Sequence, residues 1–254
     1  MTPLDPPAPR AEWAYFFDVD GTLSVLAPTP SSARLAPQVR ERLEALRARC
    51  GGAVAIISGR PLNDIDAMCE GLLLPAAGQN GAERRTADGH VVRLPVRRGQ
   101  LDRALPVLQT LVARNPRLLL EDKGHSLTLH YRAVPHMAGV AHRTMRRLQR
   151  QYGADFIVQG GKRVVELLPA GVDKGKAVHA FLEEAPFRGR LPVFVGDDVS
   201  DEPAFAAVNA CGGHSVKVGS GPTSARWRLA GVGAVRRWLA SGDDRGPLTG
   251  GGPQ

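Results

Sequence analysis

Residues 14–23 read AYFFDVDGTL. Four apolar residues, Ala14 to Phe17, run directly into two carboxylates one residue apart, Asp18 and Asp20, and then into Gly21-Thr22. A short aromatic run without breakers predicts a buried β-strand. Side chains alternate across a strand, so Asp18 and Asp20 leave on one face if the extension continues through them. Two adjacent acids repel, and a fold tolerates that where a cation or a shared proton relieves it. Asp-Gly is also an ordinary turn with Asp as its cap. That reading accounts for Asp20-Gly21 but gives no reason for Asp18 after four apolar residues.

Strand and helix signals alternate outward from this point. Residues 36–49 (APQVRERLEALRAR) carry Val39, Leu43 and Leu46 at helical spacing, and Gly51-Gly52 stop the helix. Residues 53–57 (AVAII) predict a second buried strand ending at Ser58-Gly59-Arg60, with Pro61 suited to the first turn of a helix reaching about Cys69. Residues 192–195 predict a strand entering GDDVSDE (196–202), residues 215–218 another, and residues 223–240 a closing helix. The pattern predicts an α/β class with a doubly wound parallel sheet, assembled from 12–78 and 170–241. Ligands bind such sheets beyond the carboxyl ends of the strands, where Asp18, Ser58 and Asp197 fall.

Residues 79–169 have another texture. Short alternating strands are expected at 91–92, 118–121, 126–131, 156–158 and 163–167, with amphipathic helices near 100–114 and 136–151. This predicts an α+β insert with its own small sheet, placed as a lid over the catalytic face. Residues 1–11, rich in Pro, and 242–254, rich in Gly, are expected to be disordered tails.

Composition narrows the class. The 254 residues are 43% hydrophobic and 23% charged, the ordinary globular range. No apolar run has membrane-spanning length and no secretory signal opens the chain, so a cytoplasmic protein without a membrane partner is expected. Cys50, Cys69 and Cys211 are widely spaced, which suits neither a disulfide framework nor a zinc site. The net charge of +8 raises nucleic acid as a partner, but its arginines are scattered over helical segments and only 5% of residues are aromatic. A solvated basic surface that attracts small anions is the expectation; nucleic acid is not. Lysine is rare in this arginine-rich chain. The five, Lys123, Lys162, Lys174, Lys176 and Lys217, are candidates for places that need a compact ammonium.

Four polar groups now stand in chain order: DVDGT (18–22), SGR (58–60), GVDKGKAV (171–178) and GDDVSDE (196–202). In residue type, order and predicted strand-end position they resemble the motifs of the haloacid dehalogenase superfamily of phosphotransferases. The resemblance implies a Rossmann-like core, and the insert between the second and third motifs resembles that superfamily's C2-type cap. It implies Asp18 as nucleophile, Asp20 as general acid and base, and Ser58, the Gly59 amide and Lys174 as phosphate-binding groups. Magnesium is the implied cofactor, held by the Asp18 carboxylate, the Asp20 backbone carbonyl and Asp197, with Asp198 and Asp201 orienting the set or acting through water. Blander local readings stay open: Ser58 as a helix cap, Lys174 as a solvated first-turn residue, GDDVSDE as an acidic capped loop. A lysine at a helix amino terminus opposes the dipole, however, and needs an anion nearby.

The insert speaks to the substrate. LLLEDKGHSLTLHYR (118–132), GGKRVVELLPAGVDKGKAV (160–178) and GQNGAERR (78–85) resemble the trehalose-6-phosphate phosphatase family. Carried onto matching positions, the resemblance implies that Glu121, Lys123, His130, Arg132, Lys162 and Glu166 bind sugar hydroxyls. Glu121 and Lys123 share one strand face, which suits joint contact with one ligand. Asn80 stands where many relatives have His, and Ser200 where Thr is usual. The implied activity is Mg-dependent hydrolysis of trehalose 6-phosphate through a phosphoaspartate, with a functional link to a trehalose-6-phosphate synthase. The alternatives are another sugar phosphate, such as sucrose 6-phosphate or glucosylglycerol phosphate, and a catalytically silent phosphosugar-binding module. The last requires a damaged nucleophile, acid or metal ligand, and none is missing.

Overall fold

A computed structural model describes residues 5–27 and 32–242. Trp13–Phe17 form β1, every residue of it buried, because helices cover both faces of the sheet it centres. It is followed by α1 (Pro37–Arg49), β2 (Val54–Ile57), α2 (Leu62–Cys69) and β3 (Ala76–Gly78). Two short strands, β4 (Glu83–Arg85) and β5 (Val91–Arg93), precede the insert. The insert comprises α3 (Arg98–Ala113), β6 (Leu119–Asp122), β7 (Leu127–His130), α4 (Ala138–Tyr152), β8 (Phe156–Gly161) and β9 (Val164–Pro169). The chain returns through α5 (Lys174–Leu182), β10 (Leu191–Gly196), α6 (Glu202–Ala210), β11 (His214–Val218), β12 (Trp227–Leu229) and α7 (Val232–Ala240).

Among the described residues the strands form two sheets. The larger has the order β12-β11-β10-β1-β2-β3-β4-β5, parallel except at β3-β4-β5. The chain leaves β1 on one side through β2 and returns on the other at β10, so the strand order reverses at β1. Such a reversal opens a crevice at the carboxyl ends of the strands. Register fixes what lines it: Phe17 pairs with Val195 on one side and with Ile56 on the other. Asp18, Ser58 and Asp197 therefore emerge side by side one or two residues later.

The smaller sheet, β6-β7-β9-β8, is antiparallel. Leu127 and Leu129 of β7, and Val165 and Leu167 of β9, are buried with Leu101, Leu108, Met145 and Leu148 from α3 and α4. The alternate residues Thr128, His130, Val164 and Glu166 line a cleft facing the larger sheet. This is the period of two that a half-covered sheet requires.

Three sequence expectations are corrected. Val91-Val92 pair with β4 and extend the larger sheet instead of joining the insert's sheet. Residues 223–240 are not one helix: Trp227–Leu229 form an edge strand on β11, and α7 begins only after Gly231, which the extended backbone of that edge dictates. Residues 5–11 are not a loose tail. Trp238 donates its indole N–H to Pro7 O at 2.8 Å, and the Tyr15 hydroxyl donates to Arg10 O at 2.7 Å. Residues 1–4 and 243–254, also expected to be tails, lie outside the described residues. None of the described helices is long and apolar enough to cross a membrane.

Beneath β1, Phe16, Phe181 and Phe187 pack with centroids 5.1–5.9 Å apart. Phe181→Ala should cost about 3–5 kcal/mol through the cavity left behind. Urea unfolding checks this.

Candidate active site

The crevice and the insert's sheet enclose one cleft of about 420 Å³, within the range of small-molecule sites. Every residue expected to act on phosphate or sugar lines it: Asp18, Asp20, Ser58, Gly59, Lys174, Asp197, Asp198, Glu121, Lys123, His130, Arg132, Lys162 and Glu166. Asp201 lies beneath the floor, fully buried.

The floor is a charge cluster. Lys174, the first residue of α5, is 2% exposed and donates to Asp18 Oδ1 at 2.7 Å and Asp201 Oδ1 at 2.6 Å. These carboxylates supply the anions that a lysine at a helix amino terminus needs, which rules out the solvated reading. Burial pushes the Asp18 carboxyl well above its ordinary range; Lys174 opposes this, while Asp201 and Asp197 add to it. Burial works against the Lys174 charge, but Asp18 and Asp201 outweigh it and hold the ammonium above its usual range. Asp197 is raised by burial, against the pull of Lys162, with which it forms an ion pair.

Asp18, Asp197 and Asp201 each bring a carboxylate oxygen within 4.8 Å of the others. Asp197 Oδ1 is buried without a hydrogen-bond partner. An oxygen-only set with excess negative charge and an unmatched carboxylate oxygen fits a hard divalent cation. The Asp20 carboxylate stands outside this group. Arg60 grips it with two bonds, Nε to Oδ2 at 2.5 Å and Nη2 to Oδ1 at 2.8 Å. Asp201 Oδ2 accepts from the Asp198 amide at 2.8 Å, so protein donors engage both of its oxygens. Ser58 is not a helix cap, since α2 begins after Pro61; its Oγ accepts from Arg60 N at 3.2 Å.

The opposite wall is the insert's sheet. Register sets Glu121, Thr128, Glu166 and Gln159 in one row across four strands. His130 Nε2 lies 2.7 Å from Glu121 Oε2, and the Glu121 carboxyl is lowered: burial alone would raise it, but His130 and Lys123 prevail. Glu166 Oε1 accepts from Lys123 Nζ at 3.0 Å and Ser126 Oγ at 2.5 Å. The lid is closed on the core. Lys123 Nζ also donates to Gly59 O at 2.9 Å, the Lys162 amide to Asp198 Oδ2 at 2.9 Å, and Arg132 to Ala27 O.

Sequence reasoning gave no role to four residues of this region. Arg60 was within a quoted motif. Lys217, signalled only by the rarity of lysine, is buried and donates to Asp197 O at 2.6 Å. Asn80, in the left-handed conformation that Asn tolerates (φ 59°), donates its amide to Ser58 O at 2.8 Å and has an unpaired buried Oδ1. Thr128 has an unpaired buried hydroxyl. Leaving such a group unmatched costs about 1–3 kcal/mol. Asn80 had a signal only in standing where many relatives have His, and Thr128 none beyond its place in residues 118–132.

Gly21 gives the floor its closeness. At φ +89°, a β-carbon there would lie 2.0 Å from Asp197 Oδ2. Gly21→Ala should displace that carboxylate, cost about 1–2 kcal/mol in backbone strain and weaken any divalent-cation binding at the cluster about tenfold or more. Calorimetric titration with Mg2+, alongside denaturant unfolding, measures both.

The trehalose-phosphatase family model matches residues 16–232. Trehalose-6-phosphate phosphatase of Escherichia coli (strain K12) is 43% identical over 92% of this chain and 87% of its own length. A probable trehalose-phosphate phosphatase of Sinorhizobium fredii is 39% identical over 82% of this chain and 78% of its own length. Among solved structures, the C-terminal domain of C. albicans trehalose-6-phosphate phosphatase superposes with a TM-score of 0.82 at 22% identity, covering 91% of each chain, a likeness of fold. With the four motifs gathered on one crevice and the match running through core and lid alike, this chain belongs to the trehalose-phosphatase family.

Proposed function

We propose that the protein hydrolyses trehalose 6-phosphate to trehalose and phosphate through a phosphoaspartate on Asp18, with Mg2+ as cofactor. The observation that carries this reading is the pairing of walls in one cleft. Buried acids with an ammonium form the floor, and a row of carboxylate and amine groups faces them from the lid. Asp18 and Asp197, with the Asp20 backbone carbonyl, would hold the cation. When bound, it supplies charge neutralisation for the carboxylates and the phosphate oxygens.

The chain's own groups divide the remaining work. Ser58 and the Gly59 amide hold phosphate oxygens, and Lys174, beside Asp18 Oδ1, offsets charge spreading over them. An Asp18 oxygen attacks phosphorus as the phosphorus–sugar oxygen bond breaks. The Asp20 carboxyl passes its proton to the departing oxygen and becomes the ionised form that Arg60 grips. Asp20 then takes a proton from the water that attacks phosphorus, and phosphate leaves with Asp18 restored. Asp198 and Asp201 keep the acidic loop in shape through reciprocal side-chain to backbone bonds.

Glu121, Lys123, His130, Arg132, Lys162 and Glu166 contact the sugar. Carboxylates accept from its hydroxyls, and ammonium and guanidinium groups donate to them. A trehalose-6-phosphate synthase supplying the ester is the functional link we assign. The cysteines Cys50, Cys69 and Cys211 are all unpaired, which suits the reducing cytoplasm.

Phosphate release from trehalose 6-phosphate, with Mg2+ and after chelation, is the direct test. Turnover should vanish on chelation and return with Mg2+, and Asp18→Asn should fall to background. Full activity in chelator, or in Asp18→Asn, would sink the mechanism. Glu121→Ala and Lys123→Ala should each lower kcat/KM for trehalose 6-phosphate about 10–100-fold, the worth of a charged hydrogen bond, with a smaller loss on p-nitrophenyl phosphate. Faster turnover of sucrose 6-phosphate would move the assignment to that ester.

A further inference from the structure

Among the described residues lining the cleft, three buried side-chain polar atoms meet no hydrogen-bond partner: Asp197 Oδ1, Asn80 Oδ1 and Thr128 Oγ1. The first belongs to the acidic cluster that fits a cation. The second sits against the phosphate loop, where a β-carbon on Gly59 would lie 3.6 Å from it. Thr128 has no such explanation. It is 1% exposed on β7, on the face turned to the cleft, and register puts Glu121 beside it on one strand and Glu166 on the other. Both neighbours are engaged elsewhere, Glu121 with His130 and Glu166 with Lys123 and Ser126. Strand propensity and packing at this position would be served equally by valine, which has the same branched shape without a hydroxyl to satisfy.

We infer that Thr128 is a further substrate contact, its hydroxyl meeting a sugar hydroxyl held between Glu121 and Glu166. A threonine hydroxyl both donates and accepts, whereas ionised carboxylates only accept. A sugar hydroxyl can thus accept from Thr128 Oγ1 while donating to either neighbour, completing a chain that the protein alone leaves open. This inference rests on the sugar-phosphate reading above.

Thr128→Val and Thr128→Ser test it. Thr128→Val should lower kcat/KM for trehalose 6-phosphate about tenfold, chiefly through KM, the worth of one neutral hydrogen bond. The loss on p-nitrophenyl phosphate, whose leaving group carries no sugar hydroxyl, should be smaller by about that factor. Thr128→Ser should stay within about threefold of the wild type, since it keeps the hydroxyl. The Tm of ligand-free Thr128→Val should equal or exceed that of the wild type, because an unmatched buried hydroxyl is removed; this separates lost contact from faulty folding. Wild-type kcat/KM in Thr128→Val, equal losses on both esters, or a serine variant as impaired as the valine one would each overturn the inference. Should the wild type prefer another sugar phosphate, the substrate assignment fails by itself, and the same variants compared on that ester decide Thr128.

Discussion

The ammonium of Lys174 between Asp18 and Asp201 is the interaction on which the site depends. Three carboxylates converge at the carboxyl edge of the sheet with little water around them. In that environment a carboxylate without a counter-charge would take up a proton. The lysine answers part of that charge and leaves part for a cation. Its position is fixed by packing: a β-carbon on Gly175 would come within 2.5 Å of Pro203 O, so α5 can lie against the start of α6 only with glycine there. Close approach of two helices therefore delivers Lys174 and Asp201 to one point.

The lid obeys a related economy. Lys123 reaches Gly59 O in the loop after β2 while bonded to Glu166, and Lys162 reaches Asp197 and Asp198. Lid groups that line the cleft thus also touch the core. The same side chains that line the cleft wall therefore also hold the lid against the core. Among the described residues, two of the five lysines, Lys123 and Lys162, reach from lid to core, and Lys174 and Lys217 bond within the core; Lys176 is bonded to Gly171 O at the surface.

What the sequence disclosed follows the physics of burial. Strands covered on both faces appear as unbroken apolar runs, and β1, β2 and β10 were legible for that reason, together with the acids at their ends. β4 was not, because its buried side chains are charged. Glu83 accepts from the Leu62 amide at 2.8 Å, and Arg85 forms a bidentate pair with Asp66 at 2.6 and 2.7 Å. Burial compensated by pairing leaves no hydrophobic pattern. The Trp227–Leu229 edge strand is too short to show a period against the helix that follows. In the site, the motif carboxylates and Lys174 were legible in the sequence, and Arg60 of the SGR motif was not. The grip of Arg60 on Asp20 and the unpaired buried oxygens of Asn80 and Thr128 are visible only in the fold.

The two-sided character of the lid sheet has an evolutionary consequence. Successive positions on β7 and β9 answer to separate masters: one set is fixed by side-chain fit to α3 and α4, and the other lines the cleft, where His130 and Glu166 bond to polar neighbours in the lid. Changes at every second residue can therefore alter chemical selectivity at little cost to folding. A scaffold of this kind can drift among related esters while its reaction centre stays untouched.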